Sequence, residues 1–236
     1  MKELAVTYQE KYVWELPVRI FHWISAIAIV VLFSTGLFIA FPFFRARINI
    51  ASEVYLMGWI KTIHFTAAYI LLVNFIGRLY LALVGNSYSK FGGFHPWRLK
   101  WWNSPFKEII KSYLFLREEE PEYLGHNPLA ALIHFLFIFC GTFFMVLSGF
   151  AMYSQIAPGG FWDSLTGWMI PLFGGESGLR ATHHLMAWAF VAYFIMHIYA
   201  VIRHDTVNRS SMISSIVTGF KHRLTSETET NGLGSE

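Results

Sequence analysis

The sequence predicts an all-α fold, a bundle of four membrane-spanning helices, and three observations predict it. Of the 236 residues, 55% are hydrophobic and only 14% charged, where soluble domains carry roughly 25% charged residues. The charges gather in a few segments and leave four apolar stretches between them. Within those stretches histidines recur at the spacing of a single helix face.

The apolar stretches run over about 20–42, 56–84, 128–153 and 183–203, each close to the ~20 residues a bilayer core requires. The first has no charge between Arg19 and Arg45. The second carries Lys61 near its start and Arg78 in its last third. The third, from Pro128 to Tyr153, is uncharged and holds His134, and the fourth begins at His183. The first run has full spanning length and no small-residue cleavage site follows it, so the N-terminal segment reads as an anchor and not as a removable signal.

Lys and Arg set the orientation. Lys2, Lys11 and Arg19 precede the first span, and Lys90, Arg98, Lys100, Lys107, Lys111 and Arg117 lie between the second and third. Arg203, Arg209, Lys221 and Arg223 follow the fourth, whereas only Arg45, Arg47, Lys61 and Arg180 fall on the opposite side. Both termini and the long middle loop are therefore expected in the cytoplasm. Within that loop, PFKEIIKSYLFL (105–116) puts Phe106, Ile109, Ile110, Tyr113 and Leu114 near one face and Lys107 and Lys111 opposite. With Trp97, Trp101 and Trp102 just before it, this predicts a cytoplasmic interfacial helix lying on the membrane. Residues 1–224 form one transmembrane domain, and the polar tail 225–236 is expected to be disordered.

Composition excludes several classes. No basic stripe or recognition motif points to nucleic acid. Cys140 is the single cysteine, which rules out an internal disulfide, an iron–sulfur cluster held by this chain alone and a C-x-x-C-H haem attachment.

The histidines carry the function. His183 and His197 are fourteen residues apart. At about 100° per residue that is roughly 40° short of four turns, with a rise of about 21 Å, so both imidazoles leave one face of one helix near opposite sides of a bilayer. His22 opens the first span and His64 lies about two turns into the second. Depth pairs His22 with His197 on the cytoplasmic side and His64 with His183 on the periplasmic side. Ionisable groups inside a membrane require partners, and two facing histidine pairs suit two b-type haems held between helices of a bundle. Arg78, fourteen residues after His64, reaches the cytoplasmic haem depth and suits a propionate. Gly36, fourteen after His22, reaches the periplasmic haem depth and admits a flat macrocycle to the backbone. His184 points about 100° away from His183, and His134 is a rival to His22 by depth.

The strings WELPVRIFHW (14–23), MGWIKTIHF (57–65), GRLYLALVGNSYS (77–89), PWRLKWW (96–102), GHNP (125–128) and SGFAMYS (148–154), with the His183/His197 helix, resemble the cytochrome b subunit of membrane-bound respiratory NiFe-hydrogenases. The resemblance covers about residues 12–220. It implies a subunit that anchors a periplasmic NiFe large subunit and an iron–sulfur small subunit to the cytoplasmic membrane. It implies that electrons from H2 pass through two haems b, ligated by His22, His64, His183 and His197, to menaquinone or ubiquinone. It maps the quinone contact to His126 and Asn127 of GHNP. Relatives carry a glutamine shortly after this motif, where Leu129, Ala130 and Ala131 are apolar here. The histidine spacing alone also fits the anchor of a formate dehydrogenase or another molybdoenzyme, and a non-redox membrane scaffold is the reading from a different class.

Overall fold

The structure is a computed structural model and describes residues 7–42, 55–90, 105–114, 116, 127–208 and 211–225. Strand β1 (Thr7–Tyr12) leads into helices α1 (Leu16–Ala40) and α2 (Leu56–Val84). A short α3 (Pro105–Tyr113) precedes the third apolar segment, built from α4 (Pro128–His134), a π-helical stretch (Phe135–Gly141) and α5 (Thr142–Ser154). Helices α6 (Phe161–Thr166) and α7 (Met169–Leu172) lead to α8 (Glu176–Asn208). Helix α9 (Met212–Thr218) and strand β2 (Phe220–Thr225) complete the described chain.

Four of these helical segments are long and apolar enough to cross a membrane. Their ends outlast the apolar windows. Helix α1 starts at Leu16 with Pro17 in its first turn, where a missing N–H leaves no bond unmade. Helix α8 starts at Glu176 and not at His183, because an acidic residue in the first turn complements the helix dipole. The spans expose much of their apolar surface, with Leu83, Leu185 and Val73 at 73%, 71% and 69%, which is the surface a lipid phase solvates.

Contacts divide the chain into two compact units: Met1–Arg19, Leu81–Leu132 and Ile195–Glu236 form the first, and Ile20–Tyr80 with Ile133–Phe194 the second. The second unit is a closed ring of helices. Phe33 of α1 meets Trp188 of α8 edge-on at 5.3 Å, and Phe65 of α2 meets Tyr153 of α5 at 4.6 Å. In the π-helical stretch, Phe139 lies 6.0 Å from Phe75 of α2, and Phe137 stacks on Tyr193 of α8 at 4.8 Å. Edge-on and offset rings of this kind add roughly 0.5–1.5 kcal/mol each beyond their burial. At the end of α5 the Phe150 and Trp162 rings stack at 3.8 Å, and the Trp162 indole N–H donates to the Tyr69 hydroxyl at 2.8 Å.

The first unit contains an element that local periodicity does not announce. Strands β1 and β2 pair antiparallel, from Thr7 opposite Thr225 to Tyr12 opposite Phe220. Gly219 makes the turn into β2 with φ +92°, and its carbonyl accepts from the Val13 and Trp14 amides. A Cβ there would also fall 2.6 Å from the Tyr12 ring, so glycine is required on two counts. Val13, Trp14 and Val18 are buried against Leu81 and Tyr88. Asn86 ties this core together, its amide group donating to the Val13 carbonyl at 2.9 Å and its backbone N–H to Glu15 at 3.1 Å. Helix α3 has the amphipathic character expected of it: Ile109 is buried, Lys107 and Lys111 are exposed, and Lys111 pairs with Glu108 at 3.3 Å. It ends at Tyr113, short of residue 116. Arg203 covers that end, over the Tyr113 ring at 5.0 Å and donating to the Ser112 carbonyl at 3.3 Å. Trp97, Trp101, Trp102 and, apart from Thr225, the tail lie outside the described residues.

Lys221 of β2 is 2% exposed and its ammonium lies 5.8 Å from the Trp14 ring centroid. Burial pushes its pKa down from 10.5 to about 8, with Asp205 pulling the other way. Between pH 8 and 10.5 the unfolded chain holds a proton that the folded one sheds, so this residue's contribution to stability rises with pH across that window. Below pH 8 both forms carry the charge and its burial cost is present in full. Lys221→Met is therefore expected to raise the thermal midpoint of the detergent-solubilised protein by a few degrees at pH 7, with the difference from the parent shrinking towards pH 10. Calorimetry of both proteins at the two pH values checks it.

Candidate functional site

The site is built inside the second unit from α1, α2, α5 and α8. His64, near the start of α2, turns its ring to α1, where Nδ1 lies 2.9 Å from the Thr35 hydroxyl. Gly36, the next residue, backs the same ring: a Cβ at 36 would stand 3.3 Å from His64 Cε1. The lack of a side chain at 36 thus leaves room for the imidazole.

His183 repeats the arrangement on α8. Its Nδ1 lies 2.7 Å from the Ser148 hydroxyl of α5, and a Cβ on Gly149 would stand 3.6 Å from His183 Cε1. Ser148 is fully buried and Thr35 is 8% exposed, so both contacts are shielded from solvent. His64 and His183 lie within electrostatic range of each other. With Nδ1 of each ring engaged by a hydroxyl, Nε2 is the nitrogen each ring presents, as in metal-bound histidines whose other nitrogen is held by the surrounding protein.

At the other end of α1, the turn that bears His22 is fastened to α2 by Asn74. The Asn74 amide donates to the Phe21 carbonyl at 3.0 Å and to the Ser25 hydroxyl at 2.6 Å. Gly77 makes room for the Phe21 ring, whose Cζ would lie 2.6 Å from a Cβ there. One turn after Asn74, Arg78 has a buried Nη1 with no hydrogen-bond partner among the described residues. A buried guanidinium N–H left unmatched is costly, and an anionic group such as a propionate matches it in charge and geometry.

The remaining candidates are placed as follows. His197 lies on α8 within the first unit, while His22 belongs to the second. His126 lies outside the described residues. Asn127 is the start of α4, its Oδ1 accepting from the Ala130 N–H at 2.7 Å, which is a helix N-cap. His134 ends α4 and packs edge-on to Tyr193 at 6.0 Å. It stands fourteen residues before Ser148, but the intervening π-helical stretch winds with i→i+5 bonds, so the two do not share a face as they would in continuous α-helix. His184 lies beside His183, ring to ring at 6.5 Å, against Glu176, Ser177, Arg180 and Ala181.

Thr35, Ser148, Gly149 and Asn74 contact the candidate site or the helix turn beside it, and spacing alone passes over them. The signal for the first three is a hydroxyl–glycine dipeptide in an apolar span, Thr35-Gly36 and Ser148-Gly149, at the depth of a histidine on the next helix. Asn74 carries the general signal of an amide in the middle of a span.

Four helices long and apolar enough to cross a membrane thus carry two imidazoles in contact with hydroxyls and an arginine whose Nη1 is buried without a partner among the described residues. The family model described as prokaryotic cytochrome b561 matches residues 13–219. The chain belongs to the prokaryotic cytochrome b561 family. It is 42% identical over 212 residues to a probable Ni/Fe-hydrogenase B-type cytochrome subunit of Azotobacter chroococcum, covering 89% of this chain and 88% of that one. It is 41% identical to the protein of the same description from Rhodobacter capsulatus, over 89% and 80% of the two chains. The probable Ni/Fe-hydrogenase 1 B-type cytochrome subunit of Escherichia coli is 35% identical, over 94% of each.

Asn74 offers a direct check of how α1 is fastened. Asn74→Leu removes two buried hydrogen bonds, each worth about 0.5–1.5 kcal/mol, and partly offsets this by removing Oδ1, which is buried without a partner among the described residues. A thermal midpoint lower by a few degrees is expected, measured by circular dichroism in detergent.

Proposed function

We propose that this chain is the membrane-embedded cytochrome b subunit of a Ni/Fe-hydrogenase, which ties the hydrogenase to the cytoplasmic membrane and conducts electrons from its iron–sulfur subunit to quinone. The observation that carries this reading is the matched hydroxyl bracing of His64 and His183, in a chain whose relatives are described as Ni/Fe-hydrogenase B-type cytochrome subunits. Those descriptions favour the hydrogenase partner over a formate dehydrogenase, and a metal-ready histidine pair weighs against a non-redox scaffold.

In this reading the chain holds two haems b, one between His64 and His183 and one between His22 and His197. Haem b, when bound, supplies reversible one-electron iron chemistry. Two imidazoles per iron leave no open position for a substrate, which suits electron transfer. Arg78 neutralises a propionate on the cytoplasmic side. The Lys and Arg distribution supports an orientation with both termini and the α2–α4 loop in the cytoplasm, and the β1–β2 pairing is what chain ends on one side of a bilayer permit. In that orientation α3 lies on the cytoplasmic membrane surface, and the hydrogenase large and small subunits dock from the periplasm. Quinone binds near Asn127 and His126. With Oδ1 of Asn127 capping α4, its Nδ2 group is the part suited to donate to a quinone carbonyl.

Haem stoichiometry tests the reading. The pyridine haemochrome of the purified complex should give two protohaems per chain, and one or none would overturn the pairing. His183→Ala should remove about half of the haem, whereas His184→Ala should leave the content near that of the parent.

Asn127→Ser separates capping from quinone contact, because serine caps a helix nearly as well as asparagine but has no amide to donate. The expected result is unchanged haem content and unchanged reduction of the haems by H2, with quinone reduction slowed about 3- to 10-fold for the loss of one hydrogen bond of roughly 0.5–1.5 kcal/mol. Stopped-flow absorbance with and without quinone reads both steps.

A further inference from the structure

The geometry points to Thr35 and Ser148 as a matched pair of positioning residues that fix the ligating tautomer of His64 and His183 and set the reduction potential of the haem between them. This rests on the proposed assignment of His64 and His183 as one axial pair.

A hydroxyl has one proton to give and two lone pairs. The Thr35 hydroxyl lies 2.6 Å from the Val31 carbonyl and 3.2 Å from that of Leu32, and a carbonyl only accepts. The Thr35 proton is therefore engaged by the backbone of α1, and the 2.9 Å contact with His64 runs the other way, with Nδ1–H donating to Oγ1. Ser148 has the same polarity, its hydroxyl donating to the Met145 carbonyl at 3.3 Å and accepting from His183 Nδ1 at 2.7 Å. The opposite tautomer would place the proton on Nε2 and close the coordinating position. Thr35 and Ser148 are 8% and 0% exposed, so bulk water does not stand in for either oxygen.

The glycines complete the grip. On each odd-numbered span the hydroxyl residue is followed by glycine, and a Cβ there would stand 3.3 Å from His64 Cε1 at position 36 and 3.6 Å from His183 Cε1 at position 149. The first is a tight approach that a side chain would hinder, and the second is ordinary van der Waals contact. An acceptor on Nδ1–H raises the basicity of the ligand towards its metal, which favours the oxidised iron and lowers the potential. A neutral hydroxyl does this mildly, since hydrogen bonds to charged groups are the stronger ones. Removing the oxygen from either side should therefore move the potential upwards.

The test is a spectroelectrochemical titration of the purified hydrogenase complex carrying Thr35→Val, Ser148→Ala or both, with haem content measured in parallel. The expected result is two haems per chain, one midpoint displaced upwards in each single variant and further in the double variant, and the other midpoint unmoved. Thr35→Ser and Ser148→Thr should return the displaced midpoint towards the parent. Unchanged midpoints in variants with full haem content would overturn the proposal. If Thr35→Val does not assemble, Ser148→Ala decides alone, because it deletes a single oxygen: an upward shift supports the proposal and an unmoved midpoint overturns it. Failure of the underlying axial assignment reads differently, since His64→Ala and His183→Ala would then each retain two haems.

Discussion

The second unit buries imidazole rings in apolar spans, and hydroxyls from neighbouring helices match two of them, His64 and His183. A ring nitrogen in hydrocarbon costs several kcal/mol unless something accepts from it or donates to it. Thr35 answers for His64 at 2.9 Å and Ser148 for His183 at 2.7 Å. Those two contacts also fix the antiparallel register of α1 on α2 and of α5 on α8. Asn74, reaching the Phe21 carbonyl and the Ser25 hydroxyl, fastens the first of these helix pairs a second time, toward the other end of α1. The same contacts hold two imidazoles and align the helices that carry them.

The third span shows how packing refines that frame. Its π-helical stretch presents Phe137 to Tyr193 and Phe139 to Phe75, while Gly141 leaves room for the Phe190 ring, which a Cβ would approach to 3.1 Å. A helix that changes its winding between His134 and Ser148 can hold Ser148 against His183 and turn His134 toward Tyr193. Local departures from α geometry concentrate at functional sites, and here the departure lies between Ser148, beside His183, and His134, beside Tyr193.

The first unit follows other rules. Its core is small, with Val13, Trp14 and Val18 against Leu81 and Tyr88, and hydrogen bonds from Asn86 and the Gly219 carbonyl hold it as much as apolar contact does. Lys221, buried over Trp14, is a charge that this small core accommodates at a cost. Pairing β1 with β2 ties the two ends of the described chain to each other.

By itself the sequence determined the four apolar spans, the amphipathic face of α3 and the common face of His183 and His197, because length, composition and helical period are local properties. It singled out Arg78 as a membrane arginine, whose Nη1 is buried without a hydrogen-bond partner among the described residues. It singled out Gly36 for a close approach, and the His64 ring lies beside it. Only the tertiary structure decided that the His64 ring lies against Gly36, that Thr35 and Ser148 brace the histidines, that Asn127 caps α4, and that strands more than two hundred residues apart form a sheet. The physical reason is the same in each case. A hydroxyl, an amide or a short polar strand acquires its role from a partner distant in sequence, and no helical or strand period records which partner that is.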